Sequence, residues 1–150
     1  MLKRCPESRP FCRATIPNWR LVFRGVADII PCNSQAVNIG IYSITPACEL
    51  ALDFYEDFPN LYSKKHIEIE TEGSSLYVML YTMNPGYGYG IPSEPYFETI
   101  QQGYQDWKFQ VKSLIRGVKH AKKYGSDGAY ESSFWNSRIT ANRTGRLGKN

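Results

Sequence analysis

The spacing of apolar residues in the first 44 positions predicts β-strands separated by short breaks. A long helix is excluded at the start of the chain by three prolines, Pro6, Pro10 and Pro17. Strand signals begin at Trp19, where β-forming residues alternate with arginine, and they resume after Gly25. Residues 31–35 are typical of a turn, and the alternating segment 36–44 is the clearest predicted strand.

A short helix is predicted to start after Thr45 and to end before Pro59. Thr45 is a favourable N-cap, Pro46 suits the first helical position, and Glu49 lies near the positive end of the helix dipole. Because proline cannot continue the helix, Glu56 is expected at or just beyond its last turn. Junctions of this kind often carry functional side chains, although a solvated acid at a helix end is the simpler interpretation of the pattern alone.

Residues 64–83 are predicted to form a β-hairpin. In its first strand Ile67 and Ile69 alternate with glutamates, its second strand is more apolar, and the turn lies at Gly73. The segment 84–92 that follows is rich in glycine, tyrosine and proline. It lacks the helix start and the Lys-Ser/Thr pair of a phosphate-binding loop, so an ordinary flexible loop is the preferred interpretation.

Helical spacing returns in the last third of the chain. Ser93 is predicted to cap a helix that Gly103 interrupts, and a further helix is expected from Asp106 to Lys123. The polar residues 125–150 lose this periodicity and are predicted to be a basic, flexible tail, in which only the pair at 134–135 is apolar enough to dock.

Charge is unevenly distributed in a chain whose overall net charge is +4. Residues 1–24 carry six basic residues and one acid, residues 113–150 carry eight and two, and residues 25–112 carry four lysines and eleven acids. An acidic globule with basic ends could bind nucleic acid or an acidic protein through those ends. Solvated positive ends are the simpler interpretation, and the pattern does not indicate an oligomeric state.

The four cysteines and two histidines do not have the spacing of a metal site or of a disulfide framework. Reduced thiols and a cytoplasmic location are therefore expected. The sequence has neither an apolar segment long enough to cross a membrane nor the apolar core of a signal peptide at its start.

Eight short segments occur in an order and spacing that resemble one enzyme family. They are Arg4–Pro6 (RCP), Arg20–Phe23 (RLVF), Val26–Pro31 (VADIIP), Ile41–Ile44 (IYSI), Leu52–Glu56 (LDFYE), Asn60–Lys65 (NLYSKK), Pro92–Tyr96 (PSEPY) and Ile100–Gly103 (IQQG). The ordered set, which extends from residue 2 to about residue 114, is similar to the gamma-glutamylcyclotransferase family, including its AIG2-like branch.

This resemblance implies an α+β fold, a small mixed β-barrel or sheet with flanking helices, over residues 1–124. The implied reaction cyclises a small γ-glutamyl compound to 5-oxoproline and releases an amine or amino acid, with no metal or cofactor. The acid/base glutamate of the family falls on Glu56, and Tyr62 and Tyr42 are the implied substrate-binding residues. A carboxylate suits this reaction because the attacking α-amino group must first lose a proton, which Glu56 can then deliver to the leaving nitrogen. For that role, Glu56 should be partly buried and have a raised pKa.

One departure from the family pattern has three explanations: a start that is truncated relative to a longer natural protein, a variant that has lost catalysis and kept a binding role, or another segment that replaces the usual loop. The family usually begins with a strand that ends in Tyr-Gly-Ser-Asn, whose amides hold the substrate, and this sequence starts beyond that point. The four residues at 124–127 are one residue away from that motif, but they follow a helical segment and are better explained as a helix end. The alternative is a non-catalytic binding protein on the same scaffold that contacts nucleic acid or an acidic protein through its basic ends.

Overall fold

The computed structural model describes residue 1, residues 3–71 and residues 73–135. Its elements, in chain order, are β1 (Arg9–Phe23), β2 (Ala27–Ser43), α1 (Pro46–Tyr55), β3 (Tyr62–Thr71), β4 (Ser74–Met83), α2 (Glu94–Asp106) and α3 (Lys112–Tyr124). Strand β1 pairs with β2, and β3 pairs with β4, in two antiparallel two-stranded sheets. The α+β class is therefore confirmed.

The chain forms two compact units. The first unit contains Met1–Arg20 and Ile29–Pro85, and so includes α1, β3, β4 and most of the length of β1 and β2. The second unit contains Leu21–Asp28 and the described residues from Gly86 onward, including α2 and α3.

Helix α1 of the first unit begins and ends as its sequence predicts. The Thr45 hydroxyl accepts a hydrogen bond from the Cys48 amide at 3.2 Å, which satisfies one of the free N–H groups at the helix start. Pro46 is the first helical residue, and Glu56 is the C-cap, with its N–H bonded to the Leu52 carbonyl at 2.8 Å. Glu56 therefore lies at the junction of the helix and the following loop.

The predicted hairpin is also confirmed. Strands β3 and β4 pair from Tyr62 opposite Met83 to Thr71 opposite Ser74. This register places Lys64 directly across from Tyr81, so that the two side chains lie on the same face of the sheet.

The first two strands are longer than predicted, and the turn expected over residues 31–35 is wrong. Strand β1 begins at Arg9 and includes Pro10 and Pro17, both of which are exposed. Strand β2 runs continuously through residues 31–35, with Ser34 at φ 63°. A strand tolerates proline where no ladder hydrogen bond is needed, and a single left-handed residue lets it bend and continue without a turn.

In the second unit, helices pack around the end of β1. The core of this unit contains the buried residues Phe23, Tyr104, Leu114 and Ala121. Gly117 of α3 permits close packing, because a Cβ there would lie 3.1 Å from the Phe23 ring.

The predicted helix boundaries in this unit need two corrections. Helix α2 continues through Gly103 to Asp106, and α3 starts at Lys112, six residues later than predicted. Glycine costs only about 1 kcal/mol inside a helix, and burial of the next residue, Tyr104, in the core offsets such a cost.

The described residues beyond α3 pack against other parts of the second unit. The Tyr130 amide donates to the Arg24 carbonyl at 2.9 Å, and Trp135 is 5% exposed, with its ring 5.2 Å from that of Tyr96. Of the apolar pair at 134–135, Trp135 is therefore buried, whereas Phe134 is 52% exposed. The predicted flexibility of residues 136–150 lies outside the described residues. Across the described part of the chain, no helix is both long and apolar enough to span a membrane.

Candidate active site

A cavity of about 540 Å³ lies in the first unit, next to the C-terminus of α1. Residues 39–43 of β2, the adjacent Ile44 and residues 76–81 of β4 form much of its wall, and Leu52 and Glu56 contribute from the helix side. Most of the lining residues are isoleucine, leucine, valine and methionine. Among the described residues that line it, Glu56 is the one carboxylate. We refer to this space as the Glu56 cavity.

The Glu56 cavity follows the backbones of β2 and β4. Five successive residues of β2 and six of β4 line it, although successive side chains of a strand point to opposite faces of a sheet. Because consecutive residues line the cavity, the backbone of each strand borders it, together with every second side chain. Within the described sheets, β2 pairs with β1 and β4 pairs with β3. Backbone N–H and C=O groups that face the cavity are hydrogen-bonding groups that a bound molecule can use.

The environment of Glu56 favours its protonated form. Burial among apolar side chains raises the pKa of this carboxyl from its ordinary 4.5 to about 7, and the positive charge of Arg4 partly opposes the shift. The Arg4 guanidinium carbon lies 3.3 Å from the centre of the Tyr55 ring. A carboxyl group with a pKa near neutrality can both accept and return a proton.

Arg4 reaches this position because the N-terminal segment is attached to α1. The buried Cys5 thiol donates to the Cys48 carbonyl at 3.5 Å, and the Thr45 hydroxyl donates to the Glu7 carboxylate at 2.8 Å. Burial raises the pKa of Cys5. These contacts connect the segment that carries Arg4 to the helix that ends at Glu56.

A hydrogen-bonded network lies between α1 and the hairpin. Lys64 of β3 donates to the Asp53 carboxylate at 2.8 Å and to the Glu49 carboxylate at 2.5 Å. Tyr81, which lines the cavity, donates its hydroxyl proton to Asp53 at 2.5 Å. Burial alone would raise the pKa of Asp53, but the hydrogen bonds from Lys64 and Tyr81 outweigh it and lower that pKa. The network supports the wall of the cavity with an ionised carboxylate.

The structure brings together two of the three side chains for which the sequence predicts a role. Glu56 and Tyr42 both line the cavity. Tyr62 is buried at the start of β3, 6% exposed, and is not among the lining residues. Arg4 and Tyr81 were not identified from sequence. The hairpin register could have indicated Tyr81, because it pairs that residue with Lys64.

Nothing in the described part of the chain assembles into a metal centre. Groups of three or more His, Cys, Asp or Glu side chains with the proximity needed to hold a metal ion are absent from residues 3–71 and 73–135. All four cysteines are free thiols.

Comparison with known proteins identifies the family. Residues 1–109 match a family model described as gamma-glutamyl cyclotransferase, AIG2-like. A solved structure of an uncharacterized protein from Homo sapiens is similar in fold, with a TM-score of 0.65 and 19% identity over 93% of this chain and 89% of that chain. A second, titled gamma-glutamyl cyclotransferase, has a TM-score of 0.64 and 18% identity over the same shares. No curated protein sequence matches the chain. The match over most of its length shows that the chain belongs to the gamma-glutamyl cyclotransferase, AIG2-like family.

Proposed function

We propose that this protein is a γ-glutamylcyclotransferase-like enzyme that converts a small γ-glutamyl amine or peptide to 5-oxoproline. The observation that carries the proposal is Glu56 itself, a single carboxylate in a largely apolar cavity with a pKa of about 7. Catalytic acids and bases work best with a pKa near the operating pH, and burial is a common means of raising a glutamate to that range. Membership of the family gives the reaction class in which such a carboxyl is needed.

The proposed reaction needs one proton acceptor and donor. Glu56 takes a proton from the α-amino group of the substrate, and the freed nitrogen attacks the γ-carbonyl carbon. The new C–N bond closes the five-membered ring, and the old bond from that carbon to the leaving nitrogen breaks. Glu56 returns a proton to the leaving nitrogen, so that 5-oxoproline and a free amine are formed without consumption of water. Because the attack is intramolecular, the largest task of the protein is to hold the substrate in a folded conformation.

We infer that the strand backbones at the cavity hold the polar parts of the substrate. Backbone N–H groups of these strands that face the cavity are proposed to donate to the α-carboxylate and the γ-carbonyl oxygen of the substrate. Tyr42 of β2 lines the same space and is proposed as a substrate-binding residue. The apolar remainder of the wall fits the carbon chain of the substrate.

An assay of 5-oxoproline release from a panel of γ-glutamyl amines and dipeptides tests the proposal. Glu56→Gln removes the proton acceptor and keeps the size of the side chain, so turnover should fall about 100- to 10,000-fold. Asp57→Asn is the matched control, because it changes the adjacent exposed carboxylate and should leave turnover unchanged. Equal turnover by Glu56→Gln and wild type would refute the role of Glu56. Absence of turnover by wild type on the whole panel would refute the enzyme proposal.

A second candidate function, a non-catalytic binding protein, is favoured by the surface of α3. Four exposed cations recur at intervals of four, three and four residues, which places them on one face of the helix: Lys112, Arg116, Lys119 and Lys123. The helix contains no acidic residue. Such a face fits a polyanion, and salt-dependent binding by a protein that shows no turnover would support this function over the enzyme.

A further inference from the structure

Tyr81 presents a hydroxyl group to the Glu56 cavity in a defined orientation. Its side chain lines the cavity, and its Oη lies 2.5 Å from Asp53 Oδ1. A tyrosine hydroxyl has one proton to donate and two lone pairs that can accept hydrogen bonds. The direction of the bond to Asp53 therefore decides what Tyr81 can offer to a bound molecule.

Asp53 fixes that direction. Lys64 is the cation beside it, with a side chain 17% exposed, and holds the Asp53 carboxylate in its ionised form at 2.8 Å. An ionised carboxylate has no proton and can only accept. The single proton of Tyr81 consequently points to Asp53, and the remaining lone pairs of the Tyr81 oxygen are left for the cavity.

We propose that Tyr81 accepts a hydrogen bond from the α-amino group of the substrate and thereby orients that group toward Glu56. This inference rests on the proposed function, and it defines a specificity for molecules that carry an N–H donor at the α position. A hydroxyl whose proton is bound to a carboxylate is a stronger acceptor, because hydrogen bonds in a chain polarise one another. The negative charge of Glu56 also acts on the Tyr81 hydroxyl. An α-amino group between the two oxygens can donate to both.

Binding measured by calorimetry tests this role separately from turnover. The full chain carrying Glu56→Gln, which should bind substrate without converting it, is titrated with a γ-glutamyl amine and with the corresponding glutaryl amide, which lacks the α-amino group. When Tyr81→Phe is introduced into this variant, the affinity for the γ-glutamyl amine should fall roughly tenfold to a hundredfold, and the affinity for the glutaryl amide should not change. Tyr124→Phe is the matched control, because it removes the same hydroxyl from a tyrosine that is 52% exposed and is not among the lining residues of the cavity. It should change neither affinity.

Asp53→Asn reverses the hydrogen bond and provides a second test. The asparagine amide can donate to the Tyr81 oxygen, and Tyr81 can then turn its proton toward the cavity. Preference for the γ-glutamyl amine over the glutaryl amide should be lost in this variant, while far-UV circular dichroism and the melting temperature verify that each variant folds. Equal weakening of both ligands by Tyr81→Phe, or no weakening of either, would overturn the proposal. Failure of the wild type to release 5-oxoproline would refute the enzyme proposal but leave the difference between the two ligands measurable.

Discussion

At the scale of single residues, burial and the charge of Arg4 have opposite effects on the pKa of Glu56. Burial raises the pKa of Glu56 to about 7, and the Arg4 charge keeps it from rising further. Arg4→Met should therefore move the pKa of Glu56 upward and shift the rising limb of the pH–rate profile to higher pH. A smaller fraction of the enzyme would then hold an ionised Glu56 at pH 7, so turnover there should decrease. Lys3→Met changes an exposed cation on the same segment and serves as the control. An identical shift in both variants would contradict a specific effect of Arg4.

The same carboxyl should make the stability of the fold depend on pH. Its pKa is higher in the folded chain than in the unfolded one, so the folded state binds more protons between about pH 4.5 and pH 7. The free energy of unfolding should fall as pH rises through this window, by about 3 kcal/mol at most, and then level off. Glu56→Gln should abolish this decline and unfold at higher urea concentration than wild type at pH 8. Asp57→Asn should keep the decline, and a Glu56→Gln variant that keeps it as well would refute the assignment.

How far the sequence predicts the site is seen in Glu56, Tyr81 and Arg4. The position of Glu56 is predictable because capping and proline rules fix the end of its helix, and the resemblance to the family is what implies a role for it. Its pKa is raised by burial among apolar side chains of strands that lie elsewhere in the sequence. A raised pKa could therefore be expected from the sequence, but the residues that cause it could not be identified. The position of Tyr81 depends on the hairpin register, and that of Arg4 depends on the contact between Cys5 and Cys48, which are 43 positions apart. A local sequence pattern contains neither kind of information.

At the scale of elements, Lys64 connects α1 to the hairpin. Lys64→Met would leave the Asp53 carboxylate partly buried without its cation, so we expect the free energy of unfolding to fall by about 1–3 kcal/mol. Because the pKa of Asp53 lies below its ordinary value, this stabilisation is present above that value and is lost as the pH falls. Urea unfolding at pH 7 and pH 3 measures both effects. Lys65→Met, at the next and exposed position, is the control, and a similar loss there would contradict the assigned role of Lys64.

The elements themselves were predictable where the signal is local. The cap at Thr45 gave the correct start of α1, and the alternation gave the start of the hairpin to within two residues, because both depend on neighbouring residues. The prediction failed at Pro17 and Ser34, because each lies within a strand that pairing between β1 and β2 continues past it. The prediction also failed at Gly103, because burial of the neighbouring Tyr104 in the core outweighs a small loss in helix propensity.

At the scale of the whole molecule, the segregation of charge leaves α3 as a cationic surface. Residues 113–150 carry eight basic residues and two acids, and four exposed cations of the helix share one face. Non-specific binding to nucleic acid depends on such charges, because each phosphate contact releases counterions.

If this surface binds a polyanion, the protein should associate with a short DNA duplex at low salt, with an affinity that falls steeply as salt is added. Arg116→Gln should weaken the association and reduce the slope of log affinity against log salt by about one, since it removes one phosphate contact. Lys65→Gln, an exposed cation in the acidic middle of the sequence, should leave the slope unchanged. Fluorescence anisotropy over a salt series measures both. Equal slopes for the two variants would mean that the face of α3 is a solvated surface, and binding that persists at high salt would show that another kind of contact is responsible.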